Sequence, residues 1–191
     1  MLGNKDRKKL DNKDIWAIIS FIGVIAIGIL TRFVEGGILG EESIYEILGG
    51  GERHPLLFNI GKFFAFIGSP KFLVPVIPIV VIISLFLNRK YFAFGLGFSS
   101  IVSLAFNQIT KYIFSRVRPI DYMLAHEFSF SYPSGHAAFN TCLYLFLAYY
   151  FSKGKSEGEK KTYYGIAIFF SLVMGLSRVY LGVHYFSDVL G

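Results

Sequence analysis

His184 and Asp188 stand four positions apart, the spacing at which a helix sets two side chains on one face. A carboxylate so placed holds one imidazole nitrogen and leaves the other bare, the arrangement of a nucleophile and its orienting group. Arg178 precedes them with Gly182 between, so a bend brings its guanidinium toward the same point. Pro133-Ser134-Gly135-His136 reads as a helix start. Ser134 is a strong N-cap type, Gly135 permits close backbone approach, and the first-turn N–H groups are free to bind an anion. Lys111 and Arg118 are seven apart, about two helical turns, and Pro119 puts Arg118 on a turn from which it can reach inward. Together they offer two positive charges to a phosphate, Arg118 with a two-pronged grip.

Each feature also has a plain structural reading. Ser134 can be an ordinary cap and His136 an interfacial histidine. His184 and Asp188 can be a helix-stabilising pair in an aromatic belt of Tyr180, Tyr185 and Phe186, and single basic residues can snorkel to headgroups. Arg116 is assigned to headgroup contact. The chemical reading gains from the three clusters meeting at one membrane face, which follows from the elements around them.

Those elements are apolar. Of 191 residues 53% are hydrophobic and 17% charged, with 21 Phe and 12 Tyr, and the mean hydropathy is +0.52. A soluble core of this length cannot hide that much apolar surface, so lipid is the expected solvent. Uncharged runs at 15–31, 72–88, 91–110, 137–152 and 162–177 approach the length of a helical span. They lack the strict alternation of barrel strands. Cys142 is the single cysteine, which excludes an intrachain disulfide. The formal charge of +6 is distributed as a membrane protein distributes it, so no nucleic-acid partner is expected.

The first run follows Lys5, Arg7, Lys8, Lys9 and Lys13 and is too long for a signal-peptide core, so it reads as a retained anchor. With the N-terminus cytoplasmic, these residues, Arg89, Lys90, Lys153, Lys155, Lys160 and Lys161 all lie inside, as the positive-inside rule prefers. The stretch 54–70 carries Lys62 and stops at Gly68-Ser69-Pro70. With Leu56, Leu57, Ile60, Phe63, Phe64 and Ile67 at helical spacing, it is placed as an amphipathic helix in the outer interface. The three polar clusters then share the outer, extracytoplasmic face. The fold expected is an all-α, multi-pass transmembrane bundle, and 1–191 is one integral-membrane domain.

The three clusters match a signature. Lys111–Pro119 has the form K-x6-RP, Pro133–His136 is PSGH, and Ser177–Asp188 has the form SR-x5-H-x3-D, eleven identities in order. On these motifs the region 111–188 resembles the type-2 phosphatidic acid phosphatase superfamily, which includes phosphatidylglycerophosphatase B, undecaprenyl diphosphatases and vanadium haloperoxidases. The resemblance implies that His184 attacks phosphorus to form a phosphohistidine, that Asp188 orients it, and that His136 protonates the leaving oxygen. It implies that Lys111, Arg118, Ser134, Gly135 and Arg178 hold the phosphoryl oxygens. Five such donors need no magnesium, and neither metal nor cofactor is expected. Membrane members have six spans, whereas this sequence stops at Gly191, so five readable spans plus a truncated sixth are expected.

The function expected is hydrolysis of the terminal phosphate of a membrane lipid, with phosphatidylglycerophosphate favoured over phosphatidic acid. An undecaprenyl diphosphate phosphatase is the alternative within the class. Outside it stand a transporter, which predicts charges in mid-span rather than at span ends, and a metalloenzyme using His126, Glu127, His136, His184 and Asp188.

Overall fold

The computed structural model describes residues 11–34, 36–48 and 54–191, and every regular element in them is helical. The long helices are α1 (Asn12–Phe33), α4 (Pro70–Phe86), α5 (Lys90–Phe114), α6 (Gly135–Ser152) and α7 (Glu157–Tyr180). Shorter ones are α2 (Glu41–Ile47), α3 (Pro55–Ile67) and α8 (Phe186–Leu190). Lys5, Arg7, Lys8 and Lys9, on which the anchor reading leans, lie outside the described residues.

Each of the five expected runs falls on a helix. Asp14–Phe33, Lys90–Phe114 and Glu157–Tyr180 are long and apolar enough to cross a bilayer alone, and α3 with α4 passes the same test as a pair bent by 45°. The 18-residue α6 is not among the helices that pass this test alone, and its first turns carry His136 and Asn140. It packs between α5 and α7, so polar side chains there meet protein rather than lipid. Large apolar residues instead cover the outside: Phe21, Ile22, Phe94, Phe98, Phe169 and Leu172 are all more than half exposed. This reverses the soluble pattern and is what a hydrocarbon solvent permits.

Local chemistry sets the ends. The Ser69 hydroxyl accepts from the Phe72 N–H and starts α4, with Pro70 in the first turn, where no N–H is needed. Ser156 and Glu159 form a reciprocal capping box at the head of α7. At the foot of α5, Ser115 takes a left-handed conformation, and Arg32 from α1 donates to the freed Ile113 carbonyl (3.0 Å).

The stretch 54–70 ends where expected, but α3 is more than a surface helix. Gly61 lies against Leu181, and Gly68 faces Met174 of α7 so closely that a Cβ would fall 2.4 Å from the methionine methyl carbon. The small-residue face of α3 therefore packs on protein, while Leu56, Leu57, Ile60 and Phe63 point outward and Lys62 lies over the Phe58 ring at 5.3 Å. At the end of the bundle formed by the foot of α5, the head of α6 and the foot of α7, Tyr45, Val179 and Tyr185 form a buried cluster with Ile44, Tyr122 and Val189.

Candidate active site

Where α7 ends, Gly182 adopts φ +66°, and a Cβ there would fall 1.8 Å from the Tyr122 carbonyl oxygen. Only glycine permits this turn. It breaks the helix before His184, which corrects the expectation of a helical i, i+4 pair: His184 stands in the turn and Asp188 in the separate helix α8. The pairing survives because Asp188 caps α8, accepting from the Tyr185 N–H (2.8 Å). Asp188 Oδ2 also lies 3.4 Å from His184 Nδ1.

Both residues are almost wholly buried, at 1% and 0% exposure. His184 Nε2 lies 3.2 Å from Arg118 Nη1, and because a guanidinium only donates, Nε2 carries the lone pair and Nδ1 the proton. Burial pushes the imidazole well below its usual value, and the charges of Arg118, Lys111 and Arg178 push it further. The ring is thus a neutral base with its lone pair beside a guanidinium. Burial pushes the Asp188 carboxyl up, opposed by Arg116, Ser131 and the Tyr185 N–H. Ser131 donates to Oδ2 in a short contact.

Besides His184 Nε2, Arg118 has four acceptors among the described residues. Its Nε donates to the Ser129 carbonyl (2.6 Å), Nη1 to the Val183 carbonyl (2.6 Å), and Nη2 to Ser129 Oγ (3.1 Å) and the Phe130 carbonyl (3.4 Å). Lys111 Nζ donates to the Phe130 carbonyl and to that of Ser131 (3.3 Å). Ser134 caps α6 as expected, accepting from the Ala137 N–H at 3.5 Å while its own N–H donates to the Asp188 carbonyl (2.8 Å). A Cβ on Gly135 would crowd Asn107 Oδ1 at 3.0 Å. His136 Nε2 donates to the Ala65 carbonyl at 3.2 Å, leaving Nδ1 as the nitrogen that can exchange a proton.

Lys111, Arg118, Gly135, His136 and His184 share one cavity of about 490 Å³. Away from these residues it runs between α4 and α5, lined by Leu73, Val74, Ile77, Val81, Ile101 and Leu104. Two of the expected phosphate ligands do not line this cavity: Ser134, which is wholly buried, and Arg178. Arg178 Nη2 is held by Glu127, which lines the cavity in its place. Its Nε is buried without a partner among the described residues, a donor free for another oxygen.

Arg116 does not contact headgroups as expected. It is 4% exposed and bonds inward to Asp188, Ser187, Glu41 and the Gly36 carbonyl. An arginine flanked by buried carboxylates gains more from two fixed partners than from a mobile headgroup. Glu41 and Tyr45, whose hydroxyl donates to the His184 carbonyl at 2.8 Å, escaped the sequence reading altogether. They lie far along the chain from the motifs, and nothing in the sequence sets Glu41 apart from its neighbours Glu42 and Glu46. Among the described residues no three His, Cys, Asp or Glu side chains gather as metal ligands, so the five named by the metalloenzyme alternative do not form such a group.

A helical membrane bundle with a histidine–aspartate pair beside cations at the head of an apolar cavity defines a membrane-embedded phosphatase. The chain belongs to the PAP2 superfamily, whose family model matches residues 91–191. A phosphatidylglycerophosphatase B of Bacillus subtilis (strain 168) is 35% identical over 141 residues, covering 73% of this chain and 70% of that protein. An undecaprenyl-diphosphatase of Sulfolobus acidocaldarius is 25% identical over 60% of this chain and 54% of that protein. Among solved structures, a transmembrane PAP2-type phosphatidylglycerolphosphate phosphatase from Bacillus subtilis superimposes with a TM-score of 0.78 at 29% identity, covering 91% of this chain and 86% of that one. LpxE of Aquifex aeolicus gives 0.60 at 28% identity, covering 82% and 88%.

Proposed function

We propose that the chain works as one membrane domain that removes the terminal phosphate of a lipid phosphate, phosphatidylglycerophosphate first among the candidates, at the extracytoplasmic face. The observation that carries this reading is the cavity, which joins a cationic head to an apolar slot. From Lys111 to Gly97, both on its wall, α5 rises about 21 Å, room for much of a lipid chain. A phosphate held at Lys111 and Arg118 therefore has its hydrocarbon body lying between α4 and α5.

In the reaction, His184 Nε2 attacks phosphorus; an N–P bond forms as the bond to the lipid oxygen breaks, and His136 gives that oxygen a proton. Asp188 keeps the proton on Nδ1 and offsets the charge that develops on the ring. Water then attacks the phosphohistidine, His136 takes the water's proton, and inorganic phosphate departs with His184 restored. Lys111, Arg118, Ser134, Gly135 and Arg178 stabilise the phosphoryl oxygens as their charge shifts, with Arg178 exchanging Glu127 for substrate. Lys153, Lys155, Lys160 and Lys161, at the opposite end, support a cytoplasmic position for that end and for the N-terminus.

The test is turnover of phosphatidylglycerophosphate, phosphatidic acid, diacylglycerol diphosphate and undecaprenyl diphosphate in one detergent, with phosphate release as the readout. The highest kcat/KM is expected for phosphatidylglycerophosphate. A higher value for undecaprenyl diphosphate moves the assignment to that alternative, and release from none of the four overturns the reading.

A further inference from the structure

The Asp188 carboxylate is gripped from behind. Arg116 Nη1 donates to Asp188 Oδ1 (2.6 Å) and to Ser187 Oγ (2.7 Å), while Nη2 donates to Glu41 Oε2 (3.1 Å) and to the Gly36 carbonyl (3.0 Å). The guanidinium lies over the Tyr185 ring, 4.1 Å from its centre. Glu41 in turn binds the head of α8, accepting from the Ser187 N–H (2.5 Å) and Ser187 Oγ (3.0 Å). It also accepts from the Ile38 N–H (2.8 Å). The result is a buried carboxylate–guanidinium–carboxylate row ending on the residue that faces His184 Nδ1.

The two oxygens of Asp188 have separate duties. Oδ1 goes to Arg116, and Oδ2 takes Ser131 and the Tyr185 N–H and faces the imidazole. With Oδ1 anchored, the carboxylate cannot turn Oδ2 away. Arginine suits the post because its planar fork spans two carboxylates, which a lysine point charge cannot do with the same geometry. Neither Arg116 nor Glu41 lines the cavity that holds both histidines. Arg116 borders an adjoining cavity beyond Lys111 and Arg118, but both its terminal nitrogens are committed to Asp188, Ser187, Glu41 and Gly36 and so turn away from the phosphoryl group.

We propose that Glu41 and Arg116 are positioning residues for the hydrolysis: together they fix the Asp188 carboxylate and, through it, the tautomer and aim of His184. The inference rests on the phosphohistidine reading above. Glu41 comes from the segment between α1 and α3, outside the residues matched to the family, so the catalytic pair is held from the half of the chain that carries none of the motifs.

Charge gives the pair opposite signatures. Arg116 faces Asp188 from the turn after α5, His184 and Tyr185 from the turn before α8, Tyr45 from α2 and Tyr132 from the loop before α6. From the cavity side Lys111 and Arg118, with Arg178 from α7 and His136 from α6, face His184. Removing the Arg116 charge makes protonation of both Asp188 and His184 easier, so the acid limb of kcat must move to higher pH. Removing the Glu41 charge leaves Arg116 uncompensated and must move it to lower pH.

The experiment compares Arg116→Gln, Arg116→Lys and Glu41→Gln with the wild type in detergent, measuring kcat, KM, competitive inhibition by tungstate and the pH profile. Arg116→Gln is expected to lose about 10–10²-fold in kcat, as misplaced catalytic groups do. Its acid limb should rise by about one unit or more. Arg116→Lys should restore the position of the limb without restoring kcat. Glu41→Gln should lower the limb, and tungstate inhibition and KM should stay at wild-type values in all three. Should Arg116→Gln fail to fold, the direction of the shift in the near-isosteric Glu41→Gln still decides. Acid limbs that stay put or move in the same direction in Arg116→Gln and Glu41→Gln overturn the proposal. So does tungstate affinity that falls in step with kcat. Wild-type turnover with normal variants sinks the clamp alone, whereas a wild type inert on every lipid phosphate sinks the reading it rests on.

Discussion

The two histidines of the cavity sit in unlike surroundings. His184 is enclosed: its ring is flanked by Asp188, Ser131 and Arg118, its carbonyl is held by Tyr45, and the row through Arg116 and Glu41 stands behind it. His136 rides the first turn of α6 and, among the described residues, its ring makes one bond, to the Ala65 carbonyl on α3. The contrast fits the division of labour proposed above for the two rings. A nucleophile must present one nitrogen, unprotonated, along one line to phosphorus, so every degree of freedom it keeps costs rate. An acid that later serves as base meets two different oxygens, and a ring pinned at one nitrogen keeps the other free for both.

The largest effect that can break this contrast is His184→Ala. With no nitrogen to bond phosphorus, turnover should fall by at least about 10⁴-fold on every substrate, as when a nucleophile is deleted elsewhere. No acid-labile phospho-enzyme should be trapped from radiolabelled lipid. A trapped intermediate in that variant would move the nucleophile to another residue.

His136→Ala should discriminate between substrates. Proton donation to a departing alkoxide is worth about 10²–10⁴-fold, and that loss is expected on phosphatidic acid. With a diphosphate lipid the leaving group is itself a phosphate, far less basic, and needs little help. The variant should therefore keep most of its diphosphate turnover while His184→Ala keeps none. Equal losses on both substrates, with chemistry shown to limit the rate, would leave His136 a structural residue.

How much of this was legible in the sequence divides along the same line. The motif residues and the helices that carry them could be read because apolar runs, a Ser-Gly helix start and a Gly-Ser-Pro stop act locally. The His184–Asp188 spacing could be read too, though for the wrong reason. It suggested one helix, while Gly182 breaks that helix and the contact is remade by Asp188 capping the next. Arg116 was misplaced because a basic residue at a span end looks the same whether it faces headgroups or buried carboxylates; what decides is Glu41, 75 positions away. The same limit hid the pairing of Glu127, on a distant loop, with Arg178. The bend between α3 and α4 was visible as a break, but the packing of Gly61 and Gly68 on α7 was not, since small residues mark a close approach without naming the partner.

The smallest effect concerns stability, and it probes how strictly the enclosed ring is kept neutral. Burial and three nearby cations hold folded His184 well below the ordinary histidine value, whereas in the unfolded chain it titrates near about 6.5. Above that pH both states carry a neutral ring and the contribution is constant. Below it the unfolded chain takes up a proton that the folded ring refuses, so the unfolded state binds more protons and stability falls as the pH drops. Between pH 7.5 and 5.5 one such group costs about 1.4 kcal/mol. For a chain of this size that corresponds to about 3–5 °C in Tm. His184→Gln, which cannot take up the proton, should show a Tm in detergent that falls less than the wild type's over this interval by about that amount. Parallel curves for the two proteins would mean that folded His184 accepts a proton as readily as the unfolded chain does. The enclosure around it would then fix its position without setting its charge.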